Sequence, residues 1–175
     1  FNILDNMKNK NNYILKVYVD SSFDPESKQA YCCYCLGGML IDNKERTEFI
    51  NLGKSSDSAY TEYLGIEKTL CKIEKYLRAS NISKSKVKLI VYSDLQSFAR
   101  QYNKWIPPPK DFKILSCYIR IMDLLSKFHK VDVRWVERGQ NIAGKVLEKS
   151  DIIIKKNKDK KPGESKLTFG KIINF

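Results

Sequence analysis

Histidine is almost missing from this 175-residue chain: the single copy, His129, falls at the end of a predicted amphipathic helix. It reads as a helix-terminal residue rather than a catalytic base. The five cysteines (Cys32, Cys33, Cys35, Cys71 and Cys117) contain no Cys-x-x-Cys pair, and three of them share one apolar strand. That pattern argues against a zinc site or a disulfide framework and favours free thiols in a reducing compartment. No apolar run approaches the roughly 20 residues that a membrane-spanning helix needs, and no secretory segment opens the chain. A soluble, intracellular protein with no membrane partner is expected. The sequence begins at Phe1 rather than Met, which leaves room for a preceding segment that carries targeting information. No internal repeat is present.

Acidic residues are also in short supply, with 20 Asp and Glu against 32 Lys and Arg, a net charge of +12. So large an excess costs self-repulsion in a compact state and points to a polyanionic partner, nucleic acid foremost, with a solvated lysine coat as the bland alternative. An apolar content of 42% over this length suffices for one core and one domain.

Periodicity orders the chain. Residues 1–12 form a polar lead-in. Tyr13 to Ser22 alternates as a strand, Gln29 to Ile41 is a second strand with a bend or bulge at Gly37-Gly38, and Asp42-Asn-Lys44 signals a hairpin into a third strand over Thr47 to Leu52. The capping run Ser55-Ser-Asp-Ser58 then precedes a helix with Leu64, Ile66, Leu70, Ile73 and Leu77 at helical spacing. Val87 to Asp94 is a strand, Leu95 to Lys104 a short helix ended by Pro107-Pro-Pro109, and Phe112 to Phe128 a long amphipathic helix. Val131 to Val136 is the last strand and Asn141 to Ile154 the closing helix. The domain thus spans 13–154, and a basic tail, 155–175, follows it. Strands followed by alternating helices and strands predict a mixed α/β sheet.

Two strands end in aspartate, Asp20 and Asp94, and the first long helix carries Glu62 near its start. If the two strands are neighbours, the three carboxylates meet. They cannot all stay ionised in one place unless cations neutralise them, so the group either binds a hard divalent ion or does not converge. Lys104-Trp105, with Lys110 beyond the prolines, pairs cations with a large aromatic in a loop. That combination suits base stacking or phosphate contact, and equally a Trp105 that plugs the edge of the core.

Four segments resemble the ribonuclease H family across residues 13–152: Val17-Tyr-Val-Asp20-Ser-Ser22, Thr61-Glu62-Tyr63, Tyr92-Ser-Asp94-Leu-Gln96 and Trp135-Val-Glu-Arg138-Gly-Gln-Asn141. The resemblance implies a ribonuclease H-like mixed five-stranded sheet, three antiparallel strands then two parallel, with helices on both faces. It implies that Asp20, Glu62 and Asp94 are catalytic and hold two Mg²⁺ or Mn²⁺ ions roughly 4 Å apart, which activate a water and stabilise the leaving oxygen. The implied activity is endonucleolytic hydrolysis of the RNA strand of RNA–DNA hybrids, read through groove shape and 2′-hydroxyls. Nucleic-acid contacts would fall to Ser21, Ser22, Ser58, Gln96, Arg138, Asn141 and Lys145, alongside Lys104 and Trp105.

This sequence departs from the family in three places. Lys145 stands where the family has a fourth acid, with Glu148 a turn along the helix, about 4.5 Å further on, as a distant substitute. Asp57-Ser58-Ala59 replaces Thr-Asn-Asn, and Arg138 occupies the loop that often carries a histidine. These departures and the basic tail motivate an alternative, a catalytically degenerate ribonuclease H-fold protein that binds RNA or serves a ribonucleoprotein such as a ribosome. Other nucleases and transposase-like enzymes share the fold as a third class.

Overall fold

The computed structural model describes residues 13–38 and 45–158. Five strands form one sheet: β1 (Tyr13–Phe23), β2 (Gln29–Gly38), β3 (Arg46–Lys54), β4 (Val87–Ser93) and β5 (Lys130–Trp135). Their spatial order is β3-β2-β1-β4-β5. β1 pairs antiparallel with β2 and parallel with β4, and β4 pairs parallel with β5, so the predicted mixed five-stranded sheet is the observed one. Four α-helices accompany the sheet among the described residues: α1 (Ser58–Ala79), α2 (Gln96–Tyr102), α3 (Phe112–Ser126) and α4 (Ile142–Lys158).

Strand parity decides which layer each residue joins. Leu15, Val17 and Val19 face the main core with Ile66, Leu70 and Ile73 of α1 and Ile121 and Leu125 of α3. Tyr18 turns to the opposite face, where Cys33, Ala143 and Leu147 pack and α4 covers β1 and β2. Asp57 caps α1, its Oδ1 accepting from Tyr60 N at 2.7 Å. The residue that looks ill-suited to a phosphate thus has a structural task, satisfying an orphan donor of the helix start. At the edge of the core, the buried Glu67 of α1 accepts from both Nε and Nη2 of the exposed Arg120 at 3.0 Å and locks α1 to α3.

Several predicted bounds shift. β2 is described to Gly38; residues 39–41 and the hairpin signal at 42–44 lie outside the described residues, as do 1–12 and 159–175. The bulge falls not at Gly37-Gly38 but between Ala30 and Tyr31, where Gly53 of β3 supplies a φ of +76°. Gly38 instead answers a close approach: its φ is +111° and a Cβ there would stand 2.4 Å from Ile14 O. α3 stops at Ser126, three residues before His129, whose backbone N bonds Lys84 O and Val87 O in the lead-in to β5. α4 continues past Ile154 to Lys158, because no Gly or Pro falls between Ile154 and Pro162. All five cysteines are free. Among the described residues no helix is long and apolar enough to cross a membrane.

Candidate active site

Parallel pairing of β1 with β4 reaches Val19 opposite Ser93, so the next residues, Asp20 and Asp94, come side by side where that pairing ends; β4 stops there, while β1 runs on beside β2 to Phe23. Their positions follow from the register. Asp20 is 8% exposed, faces Cys33 across the antiparallel pair, and lies beneath α4. Gly144 makes that approach possible, since a Cβ there would stand 2.8 Å from Asp20 Oδ2. From the other layer, α1 comes down on β1 through Gly65, where a Cβ would fall 2.0 Å from Ser21 Oγ. Glu62, one turn earlier on the same helix, reaches the end of the sheet.

Mutual repulsion marks the three carboxylates. Burial, then the neighbouring charge of Asp94, pushes the Asp20 carboxyl up to about 7. Burial, then Asp20 and Asp94, pushes Glu62 up to about 8. Both groups thus carry a cost for staying ionised that a bound cation would remove. The Arg138 guanidinium eases both, and Glu148 adds to the load on Asp20. Arg138 and Glu148 are themselves paired, Nε to Oε1 at 3.5 Å, at the exposed rim.

Asn141 is wholly buried. Its Nδ2 donates to Val19 O at 3.0 Å and to Asp94 Oδ1 at 3.2 Å, tying the start of α4 to β1 and to the second aspartate. Its Oδ1 is buried with no hydrogen-bond partner among the described residues. Trp135 Nε1 donates to Asp94 O at 3.2 Å and holds the same turn from β5.

Among the described residues no three His, Cys, Asp or Glu side chains form a ready-made metal cage. The carboxylates act on one another without closing. The donor set fits a hard divalent ion nonetheless: it is all oxygen, part-buried and electrostatically unbalanced toward negative charge, with an orphaned amide oxygen beside it.

The residues expected at nucleic acid divide by their surroundings. Ser58, Gln96, Lys104, Arg138 and Lys145 are exposed, and Trp105 is 73% exposed, so it does not plug the core. Ser22 is half-buried. Ser21 and Asn141 behave differently from the expectation. The Ser21 hydroxyl is buried against α1, on the Val17–Val19 side of the strand, and Asn141 is enclosed; both act as packing and bracing groups rather than as contact surface. Sequence reasoning missed the brace that Asn141 builds, the Arg138–Glu148 pair and the role of Gly144. Parity along β1 was the available signal for Ser21.

A five-stranded mixed sheet in this order, flanked by helices on both faces, with acids where the pairing of its two central parallel strands ends, defines a ribonuclease H-like fold. Solved structures agree. The chain is similar to RNase H1 from the archaeon Halobacterium salinarum, with a TM-score of 0.62 at 16% identity, covering 77% of this chain and 93% of that one. It is similar to an N-terminal RNase H domain from Mycobacterium tuberculosis, solved as a fusion with maltose-binding protein, with a TM-score of 0.56 at 17% identity over 79% of this chain and 99% of that one. LC11-RNase H1, solved in complex with an RNA/DNA hybrid, gives a TM-score of 0.59 at 12% identity over 76% of this chain and 92% of that one. No protein-family model and no curated protein sequence matches the chain.

Proposed function

We propose that this protein is a metal-dependent endonuclease of the ribonuclease H type that hydrolyses the RNA strand of RNA–DNA hybrids. The observation that carries the reading is the parallel β1–β4 register, which sets Asp20 beside Asp94 where the charges of both act on Glu62. Asp20, Glu62 and Asp94 would hold Mg²⁺ or Mn²⁺, two ions in all, and when bound these supply Lewis-acid activation of water and stabilisation of the leaving oxygen.

The remaining residues position. Asn141 fixes the rotamer of Asp94 through its amide, and Gly144 leaves room for the Asp20 carboxylate. Arg138, at the exposed rim, offers a planar cation to an incoming phosphate once it parts from Glu148. Ser58, Gln96, Lys104, Trp105 and Lys145 are exposed and would complete the nucleic-acid surface, with Ser22 half-buried beside them. In this organisation residues 13–154 are the working domain, 1–12 a lead-in, and the basic stretch 155–175 an electrostatic arm that raises affinity and salt dependence.

The test is cleavage of an RNA–DNA hybrid with Mg²⁺ and with Mn²⁺, using Asp20→Asn as control. Cleavage above the control supports the reading; none under either metal ends it. The competing reading, a non-catalytic RNA-binding protein, draws on Lys145, which is exposed where the family's fourth acid would stand. It predicts salt-dependent RNA binding that survives Asp20→Asn, with no cleavage by the wild type.

A further inference from the structure

A groove of about 770 Å³ lies between α2 and β5, lined by Gln96, Arg100 and Asn103 of the helix, Arg134 and Trp135 of the strand, and Trp105 from the loop that follows α2. β5 is the last strand of the sheet, and such an edge ordinarily invites another strand. Here two of its carbonyls are already taken: Tyr102 Oη donates to Val131 O and Asn103 Nδ2 to Val133 O, each at 3.3 Å. Peptide addition along the edge is therefore obstructed. What the groove offers a ligand is side chains.

Those side chains have one chemistry in common. Trp105 and Trp135, the only two tryptophans of the chain, are 73% and 45% exposed. The exposed Arg100 side chain makes no hydrogen bond or ion pair among the described residues, its backbone carbonyl accepting from Trp105 N at 2.8 Å, and Arg134 divides itself between Asp132 at 3.3 Å and the Tyr92 ring at 5.9 Å. Two exposed indoles, two guanidiniums and the exposed Gln96 amide match a chain of unpaired nucleotides: bases stack on the rings, phosphates meet the cations, and the amide reaches base edges, while the Asn103 amide N–H groups stay with Ala99 O and Val133 O. A duplex has its base faces covered and would leave the indoles unused. The groove also opens beside the carboxylates, since Trp135 Nε1 bonds Asp94 O and Gln96 lies two residues past that aspartate.

We propose that this groove binds a single-stranded nucleic-acid segment, the unpaired flank of a nucleic acid held at the carboxylate site. The flank assignment rests on the proposed nuclease reading; single-strand binding by the groove does not.

The experiment uses the full chain in EDTA, so that cleavage plays no part. Because both tryptophans line the groove, intrinsic fluorescence reports on it directly. Oligouridine and oligothymidine of about ten nucleotides, enough to cross one such site, should quench the emission saturably and less so as salt rises. A blunt DNA hairpin should quench little. In anisotropy measurements with the same oligonucleotides labelled, Trp105→Ala and Arg100→Ala should each weaken binding on the order of tenfold. Preference between the two oligonucleotides tells which strand the groove takes. Absence of quenching, equal quenching by the hairpin, or unchanged affinity in both groove variants would overturn the proposal. Quenching without hybrid cleavage would leave the groove standing and remove the nuclease; cleavage without quenching would do the reverse.

Discussion

Removing one negative charge from the carboxylate site should make the metal-free protein more stable, and the gain should grow with pH. Asp20 has an ordinary carboxyl value of 3.8 and is raised to about 7 in the fold, chiefly by burial and then by Asp94. Between those two values the folded protein keeps a proton that the unfolded chain has released. The wild type therefore loses stability as pH climbs through that window, and above it the penalty is complete. A difference of about 3 units at about 1.36 kcal/mol each sets a ceiling of about 4 kcal/mol. Asn141 and the backbone still crowd an amide at position 20, so the gain realised by Asp20→Asn should be about 1–3 kcal/mol. Urea denaturation in EDTA at about pH 4 and about pH 8.5 reads it: the two proteins should differ little in acid, with the variant ahead in base. Saturating Mg²⁺ should then raise the wild type at alkaline pH, by about 2.7 kcal/mol at a hundredfold excess over its dissociation constant, and leave the variant where it was. A variant that is less stable than the wild type in alkaline EDTA would refute the repulsion on which the site was built.

Gly65→Ala should cost about 1–3 kcal/mol by overpacking, because its Cβ meets Ser21 Oγ at 2.0 Å and Cys32 Sγ at 3.2 Å; adding Ser21→Gly should recover part of the loss in the same urea melt. Asn141→Ala should cost about 1–3 kcal/mol through the lost bonds to Val19 O and Asp94 Oδ1, and an unchanged midpoint would deny the brace. Exchanging a cation for an anion near the site, Lys145→Asp should tighten Mn²⁺ binding by about tenfold in calorimetry; unchanged affinity would put position 145 outside the field of the carboxylates. Hydrogen bonds from Cys33 and then Thr47 hold the half-buried Cys35 thiol below its ordinary value, so brief alkylation near neutral pH should label Cys35 well before the buried Cys32, Cys33 and Cys117, as peptide mass spectrometry would show.

Much of the fold could be read in advance because β1, α1, β4 and α3 each carry one clean period, and period reports which face is buried. Periodicity says nothing about which strands are neighbours. That β1 sits between β2 and β4, so that Asp20 meets Asp94, came from the family likeness and not from any alternation of residues. Parity did hold a message that went unused: Ser21 shares the side of Val17 and Val19, so its hydroxyl was bound to face α1. Asn141 was misjudged for a different reason, since an asparagine at a helix start ordinarily caps its own helix, whereas this one turns its amide to two other elements. The Trp135 groove was invisible because its two walls lie about 30 residues apart in sequence and meet only through the β4–β5 pairing.

The reach of Asn141 has a consequence for the making of the protein. Its bonds span 122 residues to Val19 and 47 to Asp94. Synthesis proceeds from the N-terminus, so all three acids emerge from the ribosome well before the residue that fixes one of them and joins the strands beneath. A nascent or truncated chain can pair its central strands, yet the carboxylates stay loosely held until the final helix docks. Placing the latch at the start of the last described helix leaves the three acids unbraced until that helix docks.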